Sequence, residues 1–473
     1  MTVSGGTVVA QGGKSANGDS YGVFFYVTLT ISGGLLAASS DACGTGRASE
    51  ALSSAPTGEA NSTVLVGAYN SSFAVYGDST TYTSNNILTS TLDLRNRATS
   101  TWSNSSGLSG WMWNAAQSTL TLKNTIICGA DKSGSGEDAF GILGWGNISI
   151  VYEGVDIVCG GASANGSSYG VEIEADKNGD RLALSGGGTL VALGRKAGDS
   201  SYGIQFLDPE ETGSLQVTSG KLIALGGSGG TSAASDTGSC GLNVSKNLYI
   251  NSGNVTAVGG AATGSGSISG GIICGAGISM SNGQLVAVGG YASGTDSVSG
   301  GVCSLGTTIF SGDANAVAVG DGYGIAAYSM DVDEETGDVT MTDADFQLGT
   351  NAADTATLTA RGGTSAANGK AVTTVSGKAV ACDGGTCATA GAAVRFHLAD
   401  AVIAVAHDGS NFTNYANFAD GWNEAVGTSN TANTAVKLLA DWTATYESSH
   451  STSLGSGVGF YDGTNQAGSI CVP

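Results

Sequence analysis

Proline is nearly absent from this chain of 473 residues, which contains three prolines but 78 glycines. A collagen-like triple helix is excluded, because it needs abundant proline and a glycine at every third position. Lysine and arginine are also scarce, 17 against 39 acidic residues, and the formal net charge is −22. Nucleic-acid binders normally carry a basic surface, so the sequence predicts no nucleic-acid partner. No apolar run approaches ~18 residues, so it predicts no transmembrane segment.

Charged residues make up 12% of the chain and apolar residues 41%, which excludes an acidic disordered chain. None of the nine cysteines lies in a CxxC pair, and this disfavours a zinc site of the usual spacing. The chain starts at Met1 inside a repeat phrase, without a basic and apolar leader, and it ends as abruptly. We therefore expect it to be part of a longer, multi-module protein.

An internal repeat is the dominant feature of the sequence. A short apolar run that ends in a glycine corner, such as KLIALGG at residues 221–227, recurs along the chain. The glycine before each run recurs at spacings of 34, 32, 33 and 30 residues, at Gly154, Gly188, Gly220, Gly253 and Gly283. A second phrase, YGV or YGI, keeps step with the first. Such a period is typical of a solenoid.

Each period contains three short apolar segments separated by glycine-rich turns, and none reaches the roughly ten residues that a helix needs. This pattern predicts an all-β fold, a parallel β-helix or β-solenoid with ~30–34-residue coils, about nine of them between residues 119 and 394. Alternation within the runs predicts internal ladders of like side chains, formed by Leu190 and Ala192, Leu222 and Ala224, Val255 and Ala257, and Leu285 and Ala287.

The periodicity divides the chain into four parts. We interpret residues 1–59 as terminal coils of a β-helix, 60–115 as a β-rich junction, and 116–394 as the main parallel β-helix. Residues 395–473 are interpreted as the start of another module, with a short helix over residues 418–426 followed by a strand. A helix there would cap the end coil, whose open edge would otherwise promote aggregation.

Three phrases carry a resemblance to a known family: GWMWNAAQSTLTL at residues 110–122, GWNEAV at 421–426 and VKLLAD at 436–441. They resemble the openings of β-helix modules in very large, secreted surface proteins and adhesins of Gram-positive gut bacteria. The resemblance implies a right-handed, pectin-lyase-like fold, an extracellular location at the cell surface or in secreted form, and in some cases carbohydrate binding. It extends over most of the chain at the level of the repeat phrases.

Polysaccharide-degrading enzymes share this fold, so catalysis has to be considered. Hydrolysis needs two carboxylates around the glycosidic bond, and the chain contains no Asp-Asp pair. Its three histidines, His397, His407 and His450, lie beyond the repeats, and no basic residue of the repeats adjoins a repeated acidic cluster. We therefore expect a non-catalytic protein, and fold analogy alone does not change this.

The densest acidic stretch is a candidate calcium site, because hard cations bind clustered carboxylates. Its candidate ligands are Asp331, Asp333, Glu335 and Asp338. Acidic stretches at residues 174–180 and 208–213 occupy the same place in earlier coils, which favours the alternative that all three are turn loops.

Aromatic residues are the other candidates for ligand binding. Trp111, Trp113 and Trp145 offer flat faces to sugar rings, but tryptophans at a module start also plug the end of a core. Tyr169 and Tyr202, 33 residues apart, are expected to stack on one face, either as a ligand surface or as a structural ladder.

Two cysteines lie at equivalent positions of successive coils. Cys128 and Cys159 each precede a glycine corner, so the period places them next to each other. The sequence leaves open whether they form a stacked thiol pair or a disulfide.

Three functions remain compatible with the sequence. The first is a non-catalytic extracellular adhesin or glycan-binding β-helix, whose partner is a polysaccharide, a host glycan or a surface receptor. The second is a purely structural stalk that projects another domain. The third is a polysaccharide lyase or glycoside hydrolase. No cofactor is required by any of these interpretations, and calcium is the candidate cation.

Overall fold

The central part of the chain folds as a β-solenoid of about eight turns. The computed structural model describes residues 2–11, 18–26, 28–40, 49–54, 57–58, 62–66, 73–78, 81–104, 109–209, 212–229, 238–332, 339–383, 390–426, 434–439, 459–461 and 466–467. Within these ranges the chain is predominantly β-structure with parallel stacked coils. The all-β solenoid that the repeats predict is therefore confirmed.

Each coil contributes one strand to each of three sheets, which we name A, B and C in the order in which the chain visits them. In the first full coil the strands are Thr119–Lys123, Ile126–Cys128 and Ala139–Trp145. Each strand pairs in parallel with its counterpart in the next coil. Neighbouring coils thus satisfy the backbone hydrogen-bonding groups of each strand.

The three sheets run the length of the solenoid. Sheet A contains Gly110–Asn114, Thr119–Lys123, Ile148–Glu153, Arg181–Gly186, Ser214–Val217, Asn247–Ile250, Ile278–Met280, Thr308–Phe310, Phe346–Leu348 and Ala371–Val372. Sheet B contains Ile87–Leu88, Ile126–Cys128, Val155–Cys159, Thr189–Leu193, Lys221–Leu225, Asn254–Val258, Gln284–Val288, Asn315–Gly320, Thr357–Gly362, Ala393–Asp400 and Lys378–Asp383. Sheet C contains Leu92–Asp93, Ala139–Trp145, Ser168–Glu174, Ser201–Leu207, Gly238–Val244, Ile268–Cys274, Val298–Ser304, Tyr323–Val332, Val339–Asp343 and Ser365–Ala367. Short strands Lys132–Ser135 and Ser163–Asn165 pair outside these sheets.

Antiparallel strands interrupt the stacking at both ends. Gly110–Asn114 pairs antiparallel with Thr119–Lys123 in sheet A, and Ala393–Asp400 pairs antiparallel with Thr357–Gly362 in sheet B. Tyr323–Val332 continues into an antiparallel hairpin with Val339–Asp343, which lengthens that coil. The structure has about eight turns where the spacing predicts about nine.

The predicted ladders line the interior. Leu190 and Ala192 are in register with Leu222 and Ala224 of the next coil, and the series continues through the following coils. All of these side chains are buried in one continuous core. Alternate residues of sheet B point inward, as the period of two requires.

A glycine in six successive strands of sheet C lies against the backbone of sheet B. A Cβ atom at Gly203 would lie 2.5 Å from the amide nitrogen of Leu225, closer than real Cβ atoms approach. Equivalent glycines face the same obstacle at Gly170, Gly241, Gly271, Gly301 and Gly324. Steric exclusion therefore explains the glycine of the YGV and YGI phrases.

A different constraint acts at the turn from sheet A to sheet B. Gly154, Gly220, Gly253 and Gly283 have φ between 76° and 97°, a region that favours glycine. Asn124 takes this place in the first coil with φ 49°, as asparagine tolerates.

Serine side chains connect the corners of successive coils. Ser201 Oγ donates to the carbonyl of Arg195 at 2.7 Å and accepts from the amide of Gly227, one coil further on, at 2.8 Å. The same two bonds recur at four other serines, Ser168, Ser239, Ser269 and Ser299. This serine ladder satisfies backbone groups at the bend, where the sheets supply no partner.

Strands of the N-terminal part cover the outer face of sheet B. Thr2–Gln11, Thr30–Ser39 and Thr57–Gly58 are joined by parallel pairing, as are Ser20–Val23 and Ser49–Leu52. Phe73–Asp78 pairs antiparallel with Thr30–Ser39 and with Ser62–Val66. Leu35, Ala37, Phe73 and Val75 of this assembly pack on the outward apolar residues of sheet B, among them Ile157, Val191 and Leu225.

The predicted C-terminal helix is present as α1, Phe418–Val426, the helix near the C-terminus. Its apolar side packs on Ile403, Val405 and Val436 of a separate small sheet. That sheet contains Ile403–Ala406, Thr413–Tyr415, Ala435–Leu438, Gly459–Tyr461 and Gln466–Ala467. Among the described residues, no helix is long and apolar enough to cross a membrane.

Substitution Gly203→Ala is expected to destabilise the solenoid by about 2 kcal/mol or more, because the new methyl group meets backbone that cannot retreat. Gly187→Ala is the matched control, since a Cβ there meets nothing within 4 Å. Urea unfolding of both variants measures the difference. Equal midpoints would contradict the steric explanation.

Substitution Ser201→Ala is expected to cost about 1–3 kcal/mol of the free energy of unfolding, because the amide of Gly227 would lose a buried partner. Ser252 is half-buried, and its hydroxyl donates one solvent-exposed bond to the carbonyl of Thr218, so Ser252→Ala should change the free energy of unfolding by less than about 0.5 kcal/mol. Denaturant titrations compare the two, and similar losses would refute a special role for the serine ladder.

Candidate functional site

The candidate tryptophans separate into two groups. Trp111 and Trp113 lie on Gly110–Asn114, the antiparallel strand that closes one end of sheet A, and both pack against the main core. Trp113 is buried, and its Nε1 donates to the carbonyl of Arg97 at 3.0 Å. These two residues therefore plug the core, as one of the two sequence interpretations proposed. Trp145 ends its strand in sheet C on the outer face and is 50% exposed.

Tyr169 and Tyr202 are register partners in sheet C, as their spacing predicts. Their ring centroids are 5.8 Å apart, and Phe140 stacks on Tyr169 at 5.4 Å. The two tyrosines are only 8% and 6% exposed, and burial raises the pKa of Tyr169. Rings so deeply covered fit a structural ladder better than a ligand surface.

An arginine from outside the repeats holds Trp145 in place. The guanidinium carbon of Arg95 lies 5.2 Å from the centroid of the Trp145 ring. Arg95 in turn donates to both carboxylate oxygens of Asp93, at 3.0 and 2.8 Å. This pairing lowers the pKa of Asp93 and raises that of Arg95. A cation held over an indole by a bidentate ion pair fixes both side chains.

Two carboxylates lie beside Trp145 on the same outer face. Glu174 is exposed and in register with Trp145, and Glu172 is two residues before it, in register with Leu143. Two residues along a strand separate their Cα atoms by about 6.6 Å. We name this surface, formed by Asp93, Arg95, Trp145, Glu172 and Glu174, the Trp145 face.

Burial favours the protonated form of Glu172. Burial, assisted by the carboxylates of Asp138 and Glu174 and opposed by Arg95, raises the pKa of Glu172 to about 8. Its Oε2 atom is buried and has no hydrogen-bond partner among the described residues, and the same holds for Oε1 of Gln205. Gln205 is the register partner of Glu172 in the next coil. Protonation of Glu172 avoids the free-energy cost of burying a charge at this position.

A second buried carboxyl lies inside the solenoid. Asp156 occupies the inward column of sheet B that Leu190 and Leu222 continue, and it is fully buried. Its Oδ1 accepts from the amide of Thr125 at 2.8 Å, while Oδ2 has no partner within the described part of the chain. Burial raises the pKa of Asp156 to about 8. Its enclosed position makes Asp156 a structural rather than a binding residue.

The predicted calcium ligands fall largely outside the described residues. The backbone of Asp331 pairs with Thr340 in the hairpin of Tyr323–Val332 and Val339–Asp343, whereas Asp333, Glu335 and Asp338 belong to the undescribed stretch 333–338. Calcium binding there stays a prediction. Among the residues that the structure describes, no group of three His, Cys, Asp or Glu side chains is arranged to hold a metal.

The cysteine pair has the predicted proximity. Cys128 and Cys159 are register partners in sheet B, both buried and both free thiols. They lie among the apolar residues that the N-terminal strands cover. Of the two alternatives, the structure contains the stacked thiol pair.

Most of the Trp145 face leaves no distinct signal in the sequence. Arg95 and Asp93 come from an aperiodic stretch, and Glu172 and Glu174 lie in a YGVEIE phrase whose evident feature is the repeat. The serine of the ladder precedes each of these phrases, as in SYG, SCG and SGG, so a signal for it was present.

Searches of protein-family profiles, of curated proteins and of solved structures found no match to this chain.

Acidic conditions are expected to stabilise this protein. The folded-state pKa values of Asp156 and Glu172, both about 8, exceed the ordinary values of 3.8 and 4.5, so the folded state binds more protons between these limits. Their contribution is complete below pH ~4 and is lost as the pH rises through ~8, by at most about 5 kcal/mol for each group.

Denaturant unfolding from pH 4 to pH 9 measures the slope of the free energy of unfolding against pH. Asp156→Asn and Glu172→Gln should each flatten it, whereas Asp313→Asn, which alters an exposed acid, should not. A slope that survives both buried substitutions would contradict the assignment.

Proposed function

We propose that this protein is a non-catalytic, extracellular glycan-binding β-helix of a larger surface protein, and that a neutral polysaccharide binds at the Trp145 face. The observation that carries the proposal is the half-exposed indole of Trp145, fixed by Arg95 and flanked by carboxylates. An indole presents a flat, electron-rich surface to the C–H groups of a sugar ring. Carboxylates beside it accept hydrogen bonds from sugar hydroxyls.

Charge narrows the class of ligand. The Trp145 face carries the carboxylates of Asp93 and Glu174 and the neutral carboxyl of Glu172 against Arg95, and the whole chain has a net charge of −22. Anionic polymers would be repelled unless a divalent cation intervened. Calcium bound at residues 331–338 would supply such a cation. This is the only reason why the proposal includes calcium.

A polysaccharide hydrolase is the second candidate, and one specific feature favours it. Glu172, with its raised pKa, and the exposed Glu174 place two carboxyl groups on one strand face. Hydrolysis of a glycosidic bond uses such a pair as acid and as base or nucleophile. The stalk, which needs no ligand, is the remaining alternative.

Substitution Trp145→Ala is expected to weaken polysaccharide binding about tenfold or more, because the stacking surface is lost. Affinity electrophoresis against a panel of neutral and acidic plant and mucin polysaccharides measures the retardation, with calcium or EDTA in parallel. Tyr291→Ala is the matched control, since Tyr291 is an equally exposed aromatic residue outside the Trp145 face.

The same incubations are assayed for released sugar ends. Retardation without product supports the binding protein, and loss of retardation in EDTA would implicate calcium. Product that disappears in Glu172→Gln and Glu174→Gln would replace the proposal by the hydrolase. No retardation by any polymer would leave the stalk.

A further inference from the structure

A second group of aromatic side chains is exposed in the N-terminal part of the chain, in and directly after strand Ser20–Val23. Tyr26 is 92% exposed, the highest value for a large apolar side chain in the described ranges, and Phe24 is 53% exposed. Together with Tyr21 they form what we name the N-terminal aromatic platform. Exposed clusters of this kind are uncommon on proteins whose surface has no partner.

The three rings contact each other and form one continuous surface. The centroids of Tyr21 and Phe24 are 5.3 Å apart, and those of Phe24 and Tyr26 are 4.8 Å apart at an interplanar angle of 88°. Edge-to-face contacts of this geometry stabilise ring pairs. The exposed rings therefore hold one another in place.

The backbone beneath the rings is also fixed. Ser53 Oγ accepts from the amide of Phe25 at 2.9 Å and donates to its carbonyl at 3.2 Å. The amide of Ser53 donates to the carbonyl of Val23 at 3.1 Å. A surface that is already ordered loses little conformational entropy when a ligand binds.

Core packing does not explain these exposed rings. Phe25, between Phe24 and Tyr26, packs against the buried cluster that includes Leu29, Ile31 and Leu52. The alternation of the chain thus directs one aromatic residue inward and its two neighbours outward. Polar residues at positions 24 and 26 would serve that core equally well.

The charges near the platform define the partner. Within the described parts of residues 18–54 the charged side chains are Asp19 and Glu50, and both are acidic. Glu50 is the register partner of Tyr21, so a carboxylate lies beside the rings. The carboxylate of Glu50 beside the rings disfavours phosphates, anionic lipids and acidic polymers at this position. This arrangement suits an uncharged ligand with C–H faces and hydroxyl donors.

We infer that the N-terminal aromatic platform is a second binding site for a neutral polysaccharide, with sugar rings stacked on Phe24 and Tyr26 and hydroxyls donating to Glu50. The class of ligand rests on the proposed function, whereas the location is independent of the Trp145 face. Two contacts on one polymer raise the apparent affinity beyond that of either site.

The test combines substitutions at both sites in the full chain, with a soluble neutral β-glucan as the probe. Phe24→Ala with Tyr26→Ala should raise the apparent Kd about tenfold, and in the Trp145→Ala background the same pair should remove the remaining binding. Phe412→Ala, at an exposed aromatic residue of the C-terminal part, is the matched control. Thermal unfolding verifies that each variant is folded.

Each outcome separates the two sites. If binding is weakened by Phe24→Ala with Tyr26→Ala but not by Trp145→Ala, this inference stands. The Trp145 face would then be the wrong location for the proposed function. An unchanged Kd for the pair would overturn the inference and leave the Trp145 face intact. Concentration-dependent self-association, or binding to uncharged lipid vesicles, that is lost only in the pair would also overturn it, since the platform would then serve a protein or a membrane.

Discussion

The close approach of the chain to itself at the corner between sheets B and C determines the rest of this structure. Every coil bends there so tightly that the strand of sheet C lies against the backbone of the next strand of sheet B, and a Cβ atom at Gly203 has no space. Backbone groups at the bend cannot pair within a sheet, and the serine ladder supplies their partners. Glycine content and serine placement are thus two consequences of one geometric requirement.

This requirement restricts the interior more than the outer faces. Most inward positions of sheet B keep aliphatic residues, with Asp156 as an exception, because each coil must fit on the next at a spacing of about 4.8 Å. The outer face of sheet B is covered over its first coils by the N-terminal strands, with Phe73 near Arg195 at 5.5 Å. The outer face of sheet C is the surface on which Trp145 and its neighbours are displayed.

The fold was predictable from the sequence because steric exclusion leaves a periodic signal. Gly203 and its equivalents recur with the coil, and helix α1 was expected at residues 418–426, where the structure has it. The Trp145 face was not predictable in the same way. Arg95 reaches Trp145 from an aperiodic stretch, so no spacing records their contact. The bend at Gly170 interrupts the alternation of inward and outward side chains along its strand. The outward direction of Glu172 therefore follows only from its register with Leu143 and Gln205 in the neighbouring coils.

Function in such a rod is expected where the repeat changes rather than where it persists. The outward column that contains Glu172 differs from coil to coil, with Leu143, Glu172, Gln205, Asn243, Ile273 and Cys303 in succession. A uniform spacer has no need of such differences, since identical coils stack equally well. Glu172, Glu174 and the exposed indole of Trp145 lie on the first coils, and there Arg95 and Asp93 join them from outside the repeat. That concentration of unlike side chains on an otherwise regular rod favours a binding site over a stalk.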